Sequence, residues 1–386
     1  MQRKSGEYVV STSTGEEVKA FVPYPLPTKD PPLKLYGDTL GLLDLASQNL
    51  ARLNLAGDMI PSLDWFVYAF VRKEAVLSSQ IEGTQATLAD LFRYEAGEPS
   101  KAAASPDVVD VCNYLNALSY ARGQLKKKRG LPLSIRLLNE THRRLLKGAR
   151  GRTKQAGEVR RSQNWIGGTR PGNAIYVPPP PSVLGDLLSD FEKYLHAGND
   201  LPELVRAGLL HAQFESIHPY LDGNGRIGRL LVTLLFEHWG LLSSPLLYLS
   251  LFFKRNRDEY YRLLNRVRSE GDWEAWVRFF LDGVTVTAGE ATDTARRLFD
   301  LIHGDRARLL KEKNVTVPSL RVFELLPKKP MLTIGTITKT LKITKPTAAK
   351  VVGMLTTCKI LKEHSGKKRD RVFAYAKYLD VLRDED

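Results

Sequence analysis

The stretch LLVTLLFEHW, residues 230–239, is the most constraining feature of the chain, and four residues separate it from the glycine-rich turn that precedes it, Gly223-Asn224-Gly225. Its pattern predicts a helix that closes at Gly240 and is apolar on nearly every side. Such a helix offers water no polar face, so it belongs at the centre of a bundle. The greasy run Leu230–Phe236 is far shorter than the ~20 residues that cross a bilayer, so protein has to bury it.

Other segments supply the surrounding helices. Helical periodicity covers 38–56, Ser62 to about Gly83, 107–123, 131–147, 182–197, 201–217, 257–269 and 272–302. In the second of these, Trp65, Phe66, Ala69, Phe70, Val76 and Leu77 share the inner face. Residues 1–35 hold Pro23, Pro25, Pro27, Pro31 and Pro32, which predicts an extended arm. Residues 150–181 break the helical pattern. There QAGEVRRSQNWIGGTRPGNAIYVPPPP places two short apolar clusters about a turn, which predicts a β-hairpin running into polyproline. It is the one sheet expected in the first 300 residues. The charge run Lys126–Arg129 reads as a solvated loop between helices.

At 386 residues the chain exceeds what one undivided core supports, and 43% hydrophobic residues exclude disorder as the main state. Two cysteines, Cys112 and Cys358, exclude a disulfide framework and an all-cysteine zinc site. His211, His238 and Cys112 lack metal-ligand spacing and read as core residues. The N-terminal MQRKSGEYVV has no apolar leader, so the expectation is a cytoplasmic protein with no membrane partner.

Charge is unevenly spread. The net charge is +14, and residues 304–386 carry 19 basic and 9 acidic residues, a net of +10. That same segment reads helix, helix, helix, hairpin: Ser319–Leu326, Thr333–Leu341, Pro346–Thr357, then Ile360–His364 and Arg371–Tyr375 about a turn at Ser365–Lys368. This is the winged helix-turn-helix pattern. Lys345, Thr347 and Lys350 lie at the start of the third helix, and Lys367, Lys368, Arg369 and Arg371 in the wing. DNA contact and a protein-docking role both fit these residues. The domains expected are 1–110, 111–303 and 318–386.

Chemistry concentrates in HPYLDGNGRIGR, residues 218–229. Gly223, Gly225 and Gly228 formally match a dinucleotide fingerprint, but the preceding segment is helical where that fingerprint needs a strand. The parts instead describe an anion site. Gly223-Asn224-Gly225 opens a helix N-terminus, where backbone N–H groups face a ligand. Arg226 and Arg229 are three apart on one face and oppose the helix dipole, a placement that suggests a bound polyphosphate. Asp222 offers a hard oxygen for Mg²⁺, and His218 a general base. Gln213 lies about a turn and a half before His218 and could face the same cleft at the nucleoside end, although Gln commonly bridges helices.

The twelve residues closely resemble the signature of Fic-domain proteins, His-x-Phe-x-Asp/Glu-Gly-Asn-Gly-Arg-x-x-Arg, with Tyr220 where the family has Phe. Ser78-Ser79-Gln80-Ile81-Glu82-Gly83 resembles the family's inhibitory helix motif, and 157–176 resembles the flap that docks a target segment by strand addition. The resemblance implies a mainly α fold: a Fic-type helical bundle with a small β-hairpin flap and a C-terminal winged helix. It also implies transfer of AMP from ATP to a Ser, Thr or Tyr hydroxyl of a target protein, with pyrophosphate released.

By the same resemblance His218 is the base and Asp222 the Mg²⁺ ligand. Gly223, Asn224 and Gly225 cradle phosphate, Arg226 and Arg229 take the β- and γ-phosphates, and Asn256 lies where the family often uses an Asn for the nucleoside, although Asn commonly caps helices. Glu82 inhibits by pairing with Arg229; the plainer reading of Glu82 is a solvated helix-end charge. Partners implied are the target protein, the chain itself as target, a second copy in a homodimer, and DNA at the winged helix. Two alternatives stand beside this: a winged-helix regulator whose Fic domain senses nucleotide, and an enzyme that uses Glu82 to remove AMP.

Overall fold

A computed structural model describes residues 3–13, 15–58, 63–97, 105–148, 154–198, 201–364 and 370–383. The chain divides into two compact units. The first comprises Met1–Ala51, Asn113–Ser243 and Leu249–Thr287; the second comprises Arg52–Cys112, Ser244–Tyr248 and Ala288–Asp386. The expected cap Ser62 and the wing residues Lys367, Lys368 and Arg369 lie outside the described residues.

In the first unit, strands β1 (Gly6–Ser13) and β2 (Glu16–Pro23) pair antiparallel from Gly6↔Pro23 to Ser13↔Glu16. This corrects the expected extended arm: the prolines come only at the end of β2 and beyond, where no ladder N–H is needed. Val18 and Ala20 of β2 are buried with Val177, and Trp165 packs against them. The 157–176 hairpin is also corrected. It is reduced to a single bridge, Ile166↔Tyr176, because Gly167 and Gly168 turn to positive φ and a 3₁₀ turn follows at Pro171–Asn173.

Helices follow in order: α1 (Asp38–Asp58), α2 (Leu63–Ile81), α3 (Leu88–Glu95), α4 (Pro106–Lys126), α5 (Ile135–Leu145), α6 (Leu184–His196), α7 (Glu203–Ile217), α8 (Asn224–His238), α9 (Ser250–Arg255), α10 (Arg257–Glu270) and α11 (Trp273–Leu310). The division between units falls within α1, α4 and α11. α8 is buried along most of its length, as its composition requires. α7 is buried as well, including Arg206, Gln213, Glu215 and Ser216, so two helices share the centre of this unit. The Trp276 indole N–H donates to Gly208 O at 2.8 Å, and a Cβ at Gly208 would lie 2.9 Å from the Phe280 ring. Arg122 of α4 pairs with Glu237 of α8 at 2.6 Å.

The second unit ends in α12 (Val317–Leu325), β3 (Met331–Thr333), α13 (Ile334–Leu341), α14 (Lys345–Thr357), β4 (Lys362–Glu363), β5 (Val372–Ala374) and α15 (Ala376–Arg383). The sheet order is β3-β5-β4, antiparallel throughout. β3 and α15 were not expected from the pattern. Leu332, Ile337, Ala348, Leu355, Val372 and Leu382 are almost wholly buried. The Lys73 ammonium of α2 donates to Leu382 O at 2.9 Å, and Thr336 donates to Ala96 O at 3.1 Å. The C-terminal elements thus share a core with α2 and α3. Among the described residues, no helix is long and apolar enough to cross a membrane.

Candidate active site

α7 ends because Pro219 disfavours helical backbone in the residue before it. His218 takes the left-handed conformation instead, at φ 49°, while its N–H still reaches Phe214 O at 2.9 Å. The chain re-enters a helix at Gly223, φ 78°, where a Cβ would lie 3.3 Å from Leu145 Cδ2. The short loop between is held carbonyl by carbonyl. Arg160 Nε donates to His218 O at 3.0 Å, and the Arg160 backbone N–H to Pro219 O at 2.9 Å. Asn164 Nδ2 and Asn224 Nδ2 both donate to Tyr220 O, at 3.1 and 2.8 Å. His142 Nε2 meets Asp222 O at 2.9 Å.

The electrostatics follow from burial and from two cations. Burial first, then Arg160 and Arg268, pull the His218 imidazole down to about 3, so the ring is neutral at neutral pH. Arg268 donates to Ser216 Oγ at 3.3 Å and lies 3.7 Å over the Tyr176 ring, a favourable cation at the C-terminal end of α7. Arg160 is itself buried and donates to His218 O, Ser162 O and Pro179 O, the last two at 3.2 and 2.5 Å. His142 is held near 4, chiefly by burial.

Arg226 and Arg229 are both buried in the first turn of α8, the end where a helix favours anions. Arg226 Nη2 lies 3.5 Å from Asp222 Oδ1, and among the described residues its Nε has no partner. A buried guanidinium N–H left open beside a helix N-terminus suits phosphate oxygens. The Asp222 side chain is 43% exposed. One accessible carboxylate beside a phosphate cradle suits Mg²⁺, which takes its remaining ligands from phosphate and water. Among the described residues no three His, Cys, Asp or Glu converge as a closed metal cage.

Residues 40–122 match the Fic/DOC family N-terminal model, and residues 132–236 match the Fic/DOC family model. Over these two stretches the chain is similar to the Fic/DOC family. A protein adenylyltransferase Fic from Drosophila grimshawi is 34% identical over 170 residues, and that from Drosophila yakuba matches equally. The first match covers 43% of this chain and 31% of the fly protein, so the chain spans about a third of the length of these curated relatives. A Fic family protein from Desulfovibrio desulfuricans shares the fold at a TM-score of 0.58 and 19% identity, over 89% of this chain and 97% of that one. Fic-1 from C. elegans does so at 0.53 and 22%, over 67% and 72%.

Against the family pattern, the Tyr220 hydroxyl is accommodated by Asn139, to which it donates at 2.8 Å. Asn224 engages both atoms of its carboxamide with the Tyr220 backbone, the N–H of Tyr220 donating to Oδ1 at 2.8 Å. Its side chain therefore locks the loop, leaving the backbone of 223–225 as the cradle. Gln213 Nε2 donates to Tyr24 O and Asn256 Nδ2 to Phe252 O, both at 3.0 Å, so each carries a framework bond. His211 is buried among Phe253, Tyr260 and Trp276, and its Nε2 lies 2.9 Å from the Tyr260 hydroxyl. His238 corrects the core expectation: it is exposed in the last turn of α8. Cys112 is half-buried, its thiol pushed up to about 11 by burial.

Glu82 belongs to the second unit, one residue past the end of α2. Gly83, φ 96°, stops that helix, and its N–H reaches Gln80 O at 3.0 Å. Ser78, Ser79 and Ile81 are buried while Glu82 is exposed.

His142, Asn139, Arg160 and Arg268 were not anticipated from the sequence. No spacing marks them, because each acts on a backbone or ring distant in the chain. The doubled arginine at 160–161 was the only available hint.

Proposed function

We propose that the chain transfers AMP from ATP to a hydroxyl of a protein target and that Glu82 restrains this activity. The observation that carries the reading is the pairing of a neutral, clamped His218 with an anion cradle at the start of the next helix. His218 accepts the hydroxyl proton as that oxygen bonds to the α-phosphorus. The bond to the bridging oxygen breaks, and pyrophosphate leaves with its electron pair. A polyanion in the cradle offsets the positive field of the arginines, which makes His218 more basic when substrate is present. Arg226, Arg229 and the amides of 223–225 hold the phosphates, and Gln213 and Asn256 would face the nucleoside. Mg²⁺ on Asp222 would neutralise phosphate charge.

The test is incubation of the parent, Glu82→Gly and Arg229→Ala proteins with α-labelled ATP and Mg²⁺ in lysate, with self-modification read alongside. Glu82→Gly should raise labelling roughly tenfold to a hundredfold, the scale of one or two charge-assisted bonds. Arg229→Ala should not, alone or combined with Glu82→Gly. No rise in Glu82→Gly, with ATP binding confirmed, removes the inhibitory role.

We further propose that the C-terminal elements from α12 onward form a winged helix that contacts DNA. The exposed Lys345 and Lys350 at the start of α14 support this, within a segment of net charge +10. Binding of duplex DNA should weaken steeply with salt and fall when both lysines become Glu. Binding that is indifferent to salt sinks the DNA reading.

A further inference from the structure

We propose that His142 is a positioning residue that fixes the Asp222 backbone and thereby aims its carboxylate; this rests on the reading of Asp222 as the Mg²⁺ ligand. The geometry determines the tautomer. The Gly157 backbone N–H donates to His142 Nδ1 at 2.8 Å, and a backbone N–H can only donate. Nδ1 is therefore the acceptor, and Nε2 carries the hydrogen it gives to Asp222 O at 2.9 Å. The ring lies flat on Tyr220, centroids 3.9 Å apart and planes 8° apart. One turn earlier on α5, Asn139 takes the Tyr220 hydroxyl. α5 thus grips the loop at two residues, 220 and 222, and ties it to the segment beginning at Gly157.

Gly157 is required for this approach. Its φ is 85°, and a Cβ there would lie 2.8 Å from Arg143 Cβ and 3.1 Å from Asn139 O. The Asp222 carbonyl is the last anchored point before Gly223, whose φ of 78° sets the entry to α8. If that carbonyl is released, the carboxylate and the cradle amides lose their common reference. Groups that orient a metal ligand from behind typically affect metal affinity by ~10–100-fold.

Two amide substitutions separate the two arms. Gln at 142 can place an N–H where Nε2 stands and keep the bond to Asp222. Asn at 142 reaches only the Nδ1 position, keeping the Gly157 bond and losing Asp222. Both carry the same group into the same buried place, so a general loss of packing affects them alike.

The experiment titrates Mg²⁺ against binding of a fluorescent ATP analogue to the full chain, with melting curves and hydrogen exchange at the 220–224 amides as parallel readouts. His142→Gln should need no more than about threefold extra Mg²⁺, whereas His142→Asn should need ~10-fold or more. Exchange at 220–224 should be faster in His142→Asn alone. An Asn variant that matches the parent, or a Gln variant as impaired as Asn, overturns the proposal. If nucleotide binding by the parent is indifferent to Mg²⁺, the metal reading of Asp222 falls. Exchange then decides the positioning role: faster in Asn than in Gln upholds it, and equal rates overturn it.

Discussion

Two segments flank His218, and they are built on opposite principles. In the loop 218–224, the carbonyls of 218, 219, 220 and 222 each accept from a named donor on another segment or on α8. In the segment 163–176, the root is tied by Gln163 to Pro178 O and by Asn164 to Tyr220 O, while the tip is held by the Ile166↔Tyr176 bridge, by its own turn bonds about Asn173, and by exposed bonds from Arg170 and the Gly172 N–H to Glu16 at 3.1 and 2.9 Å. Ile175 at that tip is 77% exposed. Under the proposed transfer, fixed backbone sits where a proton and phosphates would have to be placed to within a fraction of an ångström. An unpaired, glycine-jointed edge sits beside it, where an extended target could add as a strand.

The largest effect should come from the chemistry of the loop. His218→Ala should cut AMP transfer by ~10²–10⁴ while ATP binding and the melting curve stay close to the parent. The fold should survive because His and Ala both bear the cost of left-handed backbone at this position. Transfer at the parent rate would remove the base role.

Next comes the loop's brace. Arg160→Met keeps the bulk but strips the side-chain donors from three carbonyls. It should lower unfolding stability by about 3 kcal/mol in urea, since each stranded buried acceptor costs ~1–3 kcal/mol and the losses overlap. A loss below 1 kcal/mol would mean the loop holds its own shape.

Acid should act on the same side of the comparison. His211 and His218 are both lowered to about 3 in the folded chain, first by burial. His211 is surrounded by Tyr260, Phe253, Trp276, the Arg229 charge and the Glu215 carboxylate. Between the ordinary histidine value of ~6.5 and about 3, the unfolded chain binds protons that the folded chain refuses, so stability falls as pH falls through that window. The slope should reach ~1.4 kcal/mol per pH unit for each histidine. Urea midpoints from pH 7 to pH 4 measure it, and His211→Gln should remove one histidine's share. Residues 163–176 contain no histidine, so the flap side adds nothing to this slope. A flat profile would mean the rings are not held neutral by the fold.

A smaller effect tests the one departure from the family pattern. Tyr220→Phe removes the hydroxyl bonded to Asn139 and should cost about 1 kcal/mol. Asn139→Ala should cost more, because it leaves the buried hydroxyl without its acceptor. Additive losses in the double variant would show that the two residues do not act as a pair.

The loop was legible in the sequence because its chemistry is contiguous: imidazole, carboxylate, glycines and arginines fall within residues 218–229. Its supports were not. Arg160 and Arg161 are adjacent and identical in type, yet Arg160 is 2% exposed and the Arg161 side chain 81%. What separates them is the Arg160 bond to a carbonyl 58 residues away. His142 likewise acts on a carbonyl 80 residues away. The β1–β2 hairpin was hidden by its own pattern. β1 carries polar residues on both faces, and only Val18 and Ala20 of β2 meet the cluster at Val177. The central helices were legible from composition, but the burial of charged groups along α7 was not, since only partners such as Tyr194 O for Arg206 make it tolerable.

The smallest effect on stability should come from the tip of the flap. Ile175 is exposed, and its side chain lies against Gly167, where a Cβ would come within 2.6 Å of Ile175 Cδ1. Ile175→Ala should therefore change unfolding stability by less than about 0.5 kcal/mol, as surface positions generally do. The same change should be felt by a docked target, because an apolar side chain beside a strand edge gives part of the pocket that an added strand fills. KM for the target should rise by about three- to tenfold, equivalent to ~1 kcal/mol of apolar contact, with KM for ATP unmoved. Ile175→Pro goes further, removing the N–H that reaches Ile166 O at 3.0 Å and stiffening the edge. It should weaken target use more than Ile175→Ala does and leave the His218 chemistry on small nucleophiles intact. If Ile175→Ala destabilised the chain as much as Tyr220→Phe does, the segment would be framework, and the contrast between a fixed loop and an adaptable edge would fail.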